Sequence, residues 1–323
     1  MLSRQFFKII LIILCGLALV YFAGPRSTRG TPCGPVNLPQ DLDMYLAQSE
    51  KYPDIIPGTE KTIAWANPSK SKTPVAIVYL HGYSASRQEV APLCEKLAVR
   101  WGANVYYTRL TGHGRNAETL VNAHVNDLLH DALEAIAIGR RLGDRVIVIG
   151  TSAGGALAAW LAEQPGNDDV MAYVLLSPAV GFKHPLAGLL LGPWAVQLAR
   201  LVEGPEYGAV SANPLVERYW ITHYPSRGVV TPAMLAQLVW RSVPERIHRP
   251  MLVFYSPQDQ VVAPQAIEKF FRHVGTAVKE IVQVQRPDPP ENHLLAGDIR
   301  APQMTGHVAD VIFSFISEIP GKM

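Results

Sequence analysis

The sequence predicts an α/β protein: a mostly parallel central sheet with helices on both faces. Three observations carry that prediction. Runs such as 75–80 and 146–149 are apolar at every position, so the sheet they form has no wet face. Segments with apolar residues at helical spacing alternate with these runs, the longest at 125–142. The apolar run ending at Gly150 passes through a tight turn straight into a small-residue helix.

The elements follow in order. From Phe6 to Ala23 the chain is apolar for 18 residues with a single lysine, Lys8, at the short end of what spans a membrane. A cleaved signal peptide competes, but Tyr21 is too large for a cleavage site after Ala23, and Leu14 before Cys15 is a poor lipobox. The reading is a single-pass N-terminal anchor over 1–24, with Arg4 and Lys8 favouring a cytoplasmic N-terminus and Arg26 and Arg29 nearly balancing them. The rest of the chain then lies on the periplasmic or extracytoplasmic side, or is secreted if the segment is cleaved. Residues 25–60 are a tether and entry segment, Pro/Gly/Thr-rich at first, with a short helix at 42–52. An early strand is expected at 63–65. Then come strand 75–80, helix 88–101, strand 104–108, helix 125–142, strand 146–149, helix 155–163 and strand 173–176.

Between 178 and 251 that rhythm stops. An apolar stretch from Leu186 leads through Trp194 into a helix ending at Val202, and Thr231-Pro232 caps and starts another running to Trp240. Residues 181–246 therefore read as a helical insertion forming a cap. The core, 61–180 and 247–323, resumes with strand 251–255, helix 264–274 and strand 280–284.

Composition narrows the function classes. A formal charge of +2 without a dense Lys/Arg run argues against nucleic acid as a partner. The three cysteines, Cys15, Cys33 and Cys94, have no metal-ligand spacing, and Cys33 and Cys94 are able to pair in an oxidising compartment.

The chemistry centres on Gly150-Thr151-Ser152-Ala153-Gly154. A strand–turn–helix with this Gly-x-Ser-x-Gly pattern presents a serine hydroxyl at the top of a sheet, and the amide after it can serve an oxyanion. Serine needs a base to take its proton and a carboxylate to orient that base. Asp259 sits in the loop after strand 251–255 and is the candidate acid; capping the following helix is its competing role, and Asp288 is the runner-up acid. Of the histidines after Asp259, His273 falls in a helix and His307 in or near the last one. His293, in a loop past the last strand, is the candidate base. His81-Gly82-Tyr83 follows the first central strand, where Gly82 permits a tight turn, the Tyr83 amide is the second oxyanion donor and His81 shapes the loop. Gly112-His113-Gly114 braces the same end of the sheet.

These residues together resemble the α/β-hydrolase superfamily, and within it the monoglyceride-lipase, carboxylesterase and serine-aminopeptidase-like group. The resemblance runs from about Val75 to the C-terminus and includes the inserted cap; the N-terminal anchor and tether lie outside it. It implies a Ser152–His293–Asp259 triad, an oxyanion hole of the Tyr83 and Ala153 amides, and neither metal nor organic cofactor. The expected activity is hydrolysis of carboxylic esters, with lipid-like or medium-chain acyl groups favoured by the apolar 186–202 segment. An acyltransferase on the same triad and a catalytically silent membrane-tethered binding protein are the alternatives.

Overall fold

The computed structural model describes residues 4–31, 33–181, 183 and 187–319. The described residues include nine strands: β1 (Thr62–Ala64), β2 (Thr73–Leu80), β3 (Asn104–Tyr107), β4 (Gly143–Thr151), β5 (Val170–Leu176), β6 (Glu206–Gly208), β7 (His223–Pro225), β8 (Met251–Tyr255) and β9 (Lys279–Gln283). Seven of them form one sheet in the order β1-β3-β2-β4-β5-β8-β9. Only the edge strand β1 runs antiparallel to its neighbour in that sheet; every other pair is parallel.

Adjacent residues of a strand point to opposite faces, so each central strand feeds two cores. Val78, Val148 and Leu175 pack on one side against α5 (Val125–Leu142) and α6 (Ala153–Ala162). Ile77, Ile147 and Val174 pack on the other, against α3 (Leu93–Trp101) and α11 (Thr305–Ser317). Burial on both faces is why these strands carry no polar alternation. The remaining helices are α1 (Arg4–Phe22), α2 (Leu42–Ser49), the short α4 (Ala117–Val121), α7 (Ala195–Glu203), α8 (Pro214–Tyr219), α9 (Val230–Trp240) and α10 (Pro264–His273). Between β5 and β8 the chain leaves the sheet and builds α7, α8, α9 and the separate β6–β7 hairpin. Leu186, at the start of the apolar stretch read from the sequence, lies outside the described residues.

Some expectations need correction. The helix expected from 88 begins only at Leu93, and residues Arg87–Glu89 form a 3-10 turn. Pro92 lacks an N–H and disfavours helical geometry at Ala91, which separates the two. Thr231 does not cap its helix, which already starts at Val230; its hydroxyl donates to the Ala123 carbonyl at 2.9 Å. Cys33 and Cys94, whose pairing the sequence left open, are free. Cys33 packs at the α5 side of the sheet and Cys94 is buried in the opposite core, so the sheet stands between them.

Helix α1 leaves Phe7, Leu11, Ile12, Leu17 and Leu19 exposed. Among the described residues, however, no helix is long and apolar enough to cross a membrane, so the structure does not support a spanning anchor. The segment after α1 is docked rather than free. The Trp194 amide donates to the Pro25 carbonyl (2.8 Å), and the Asn126 amide donates to the Arg29 carbonyl (2.8 Å). Beyond α2, Glu50 accepts two hydrogen bonds from the buried Arg109 guanidinium, from Nε at 2.6 Å and Nη2 at 2.9 Å.

Candidate active site

Ser152 occupies the turn between β4 and α6 with φ 52° and ψ −112°. A side chain with a Cβ avoids such geometry, and it persists only where the surroundings over-determine it. Here the Ser152 amide donates to the Leu176 carbonyl (2.9 Å), while its own carbonyl accepts from the Ala156 (3.0 Å) and Ala179 (2.9 Å) amides. The two motif glycines make the turn possible by close approach. A Cβ on Gly150 would stand 2.3 Å from the Gly154 oxygen, and one on Gly154 only 1.9 Å from the Leu80 oxygen. Helix α6 is thereby held against the end of β2, where the His81–Tyr83 loop begins.

Asp259, in the loop after β8, is fully buried. Its Oδ1 accepts the amides of Val261 (2.8 Å) and Val262 (2.9 Å), which leaves Oδ2 to bond His293 Nδ1 at 2.8 Å. The carboxylate is thus oriented by the backbone that follows it. Asp288 does not reach His293 in this way; Arg300 Nε donates to it at 2.7 Å. His273 bonds within its own helix, to the Lys269 carbonyl at 2.8 Å. His307 lies in α11.

Ser152 and His293 line the same cavity, about 320 Å³ in volume. Among the described residues the Ser152 hydroxyl has no hydrogen-bond partner within 3.5 Å. Bonds of this kind are often long without substrate and tighten when it binds. The Tyr83 and Ala153 residues line the cavity as well, and among the described residues neither amide has an acceptor. Ala153 opens α6, so its N–H is one of the four that a helix start leaves unpaired.

The Tyr83 amide is aimed by its neighbours. His81 is fully buried, its Nε2 accepts the Leu110 amide (3.0 Å), and its Nδ1 therefore carries the hydrogen that reaches the Gly82 carbonyl (2.9 Å). Burial and the adjacent His113 hold the His81 imidazole well below its usual range, which keeps it neutral. Because the Gly82 carbonyl and the Tyr83 N–H share one peptide plane, anchoring the first directs the second. His113 packs edge-on against His81 and Tyr83, with ring centroids 5.0 and 5.2 Å apart, and burial lowers its own pKa to about 4.

Glu89 was not legible as a site residue. Its expected place was a helix, yet the 3-10 turn brings its buried carboxyl to the Gly82 amide (2.5 Å) and the Tyr79 hydroxyl (2.7 Å). The only hint in the sequence is an acid seven residues after Gly82. The segment between β5 and β8 supplies the apolar wall of the cavity, including Leu189, Leu190, Leu198 and Val202. Among the described residues no group of His, Cys, Asp and Glu is set to hold a metal ion. A strained serine, a carboxylate-bound imidazole and two unpaired amides around one cavity suit acyl transfer.

Residues 71–286 match the family model described as serine aminopeptidase, S33. A thermostable monoacylglycerol lipase from Bacillus sp. (strain H-257) is 27% identical over 237 residues, covering 73% of this chain and 88% of that protein. Among solved structures, a metagenome-derived lipolytic enzyme superposes with a TM-score of 0.62 at 21% identity, over 82% of this chain and 99% of the other. A soluble variant of monoglyceride lipase from Saccharomyces cerevisiae, in complex with a substrate analogue, gives 0.59 at 13% identity, over 80% and 90%. These likenesses are to an α/β-hydrolase fold.

Proposed function

This chain belongs to the serine aminopeptidase S33 family and is a lipase- or esterase-type serine hydrolase; from that premise we propose that it cleaves carboxylic esters of lipid-like or medium-chain acids through an acyl-enzyme on Ser152. The observation that carries the reading is the buried Asp259–His293 pair opening on the cavity that Ser152 lines.

In this mechanism Ser152 Oγ attacks the ester carbonyl while His293 Nε2 takes its proton. Asp259, bonded to Nδ1, holds the tautomer and stabilises the imidazolium. The Tyr83 and Ala153 amides receive the oxyanion, each such donor being worth about 3 kcal/mol in the transition state. Collapse expels the alcohol with the proton from His293. Water, activated by the same imidazole, then releases the acid and restores the serine. The residues between β5 and β8 act as a cap, and their apolar side chains receive the acyl group. The monoacylglycerol lipase relative supports the same substrate class.

The exposed apolar side chains of α1 support attachment to a membrane, and Arg4 and Lys8 ahead of the apolar run favour the extracytoplasmic side for the catalytic part. Trp194 Nε1 donates to the Val20 carbonyl at 3.2 Å, which ties that helix to the cap. Fractionation of the full chain against one lacking residues 1–24 tests this; equal recovery in the soluble fraction rejects it.

A panel of esters and lipids with wild type and Ser152→Ala tests the chemistry. Ser152→Ala is expected to lose turnover and to keep its fold. Full activity in that variant, or a fluorophosphonate adduct on another serine, rejects the nucleophile. Product analysis with an acceptor alcohol distinguishes hydrolysis from acyl transfer.

A further inference from the structure

The buried acid beside the oxyanion loop has no part in the triad, yet it joins the three pieces of chain that must meet there. Glu89 Oε1 accepts both the Gly82 amide, at 2.5 Å, and the Tyr79 hydroxyl, at 2.7 Å. With its hydrogen committed to Glu89, the Tyr79 oxygen accepts from Thr151 Oγ1 at 2.9 Å. Thr151 is the residue before the nucleophile. One oxygen therefore connects strand β2, the loop carrying the Tyr83 amide, and the end of β4. Glu89 is 1% exposed, and Tyr79 is fully buried.

We propose that Glu89 is a positioning residue for ester cleavage, its carboxyl oxygen setting the Tyr83 amide at a fixed distance from Ser152. The proposal rests on the reading of Ser152 as nucleophile and Tyr83 as oxyanion donor. The Gly82 residue is held at two points, its N–H by Glu89 and its carbonyl by His81 Nδ1. Releasing the first leaves the following peptide to pivot about the second, and the donor turns away from the developing oxyanion. The role belongs to an acceptor oxygen rather than to a charge. Burial pushes the Glu89 carboxyl up to about 7, so the neutral acid is abundant at neutral pH. Both observed bonds land on one oxygen, and a glutamine carbonyl can replace it.

Two substitutions separate geometry from charge. Glu89→Gln keeps an acceptor at the same reach and removes the charge. Glu89→Asp keeps the charge and draws the oxygens back by one methylene. Steady-state kinetics on short p-nitrophenyl esters, with unfolding midpoints measured alongside, are expected to show Glu89→Gln within about threefold of wild-type kcat. Glu89→Asp is expected to lose about 10- to 100-fold in kcat with KM changed less than about threefold, a fraction of what one oxyanion donor is worth. If Glu89→Asp matches the wild type, or Glu89→Gln falls as far as Glu89→Asp, the proposal is overturned. A rise in KM alone also overturns it. Should Glu89→Asp fail to fold, Tyr79→Phe removes one partner of the same oxygen, and kcat equal to wild type in that variant overturns the proposal. Ser152→Ala in the same assay keeps the two readings apart. Activity surviving there condemns the nucleophile, whereas an inactive Ser152→Ala beside a fully active Glu89→Asp condemns the role of Glu89 alone.

Discussion

Gly154→Ala introduces one methyl group where helix α6 meets the end of β2 and the His81–Tyr83 loop. The new Cβ would lie 1.9 Å from the Leu80 oxygen, 2.4 Å from the Leu80 carbonyl carbon and 2.7 Å from the His81 oxygen. All three are backbone atoms and cannot swing aside as a flexible side chain would. Going from 1.9 Å to the 3.0 Å that real contacts require displaces α6 from the end of β2 by about 1.1 Å. The two amides proposed to receive the oxyanion ride on the two sides of that contact, Ala153 on α6 and Tyr83 on the loop after β2. Their separation grows with the displacement. A misplacement of about 1 Å costs about 100-fold in rate, so kcat should fall by about two orders of magnitude with KM little changed. Overpacking of this kind also costs about 1–3 kcal/mol of stability. Stopped-flow acylation with p-nitrophenyl butyrate, read beside thermal unfolding, measures both. A folded Gly154→Ala protein with wild-type acylation would refute the idea that this contact sets the width of the oxyanion hole.

Three further outcomes follow from the site. Asp259→Asn leaves an acceptor for the Val261 and Val262 amides and so keeps the loop, but turns an amide toward His293 Nδ1 and selects the wrong tautomer; kcat should drop by about 10⁴-fold, and a loss below tenfold in single-turnover kinetics argues against Asp259 as the orienting acid. Each methylene added to the acyl group should raise kcat/KM by about fourfold until the apolar wall is covered, from about 0.8 kcal/mol per buried CH₂; a flat series from butyrate to decanoate removes the support for a lipid substrate. Burial raises Glu89 from 4.5 to about 7, so the native state keeps a proton that the unfolded chain gives up. Its contribution to stability is full below pH 4.5 and is lost as pH rises through about 7. Glu89→Gln has no such proton, so its stability relative to wild type should improve across that window in urea titrations; a constant difference contradicts the burial of an acid there.

Local pattern carried much of the fold into view. The uniformly apolar strands, the 125–142 helix and the 251–255 strand are visible because each depends on the spacing of residues within one element. Element ends were less legible where a single residue decides them. Pro92 splits an expected helix, and Thr231 finds a carbonyl from a distant turn instead of capping. The order of Ser152, Asp259 and His293 along the chain was readable, and it is the loop histidine His293, not His273 or His307, that the structure bonds to Asp259. Asp259 and not Asp288 bonds His293: the Val261 and Val262 amides orient the first carboxylate, and Arg300, twelve residues beyond Asp288, bonds the second.

Short-range pattern settles the succession of strands and helices and the Gly-x-Ser-x-Gly turn at the end of an apolar strand. Each is set by propensities and periodicities that act over a few residues. Long-range packing puts Cys33 and Cys94 on opposite sides of the sheet and makes residues between β5 and β8 a wall of the cavity. It alone brought Glu89 under the His81–Tyr83 loop. The strand order interleaves segments that are far apart in the chain, and a buried acid acquires its meaning from the amide and hydroxyl it meets there. No pattern within a single segment encodes such a meeting. It follows from which apolar faces can be buried together.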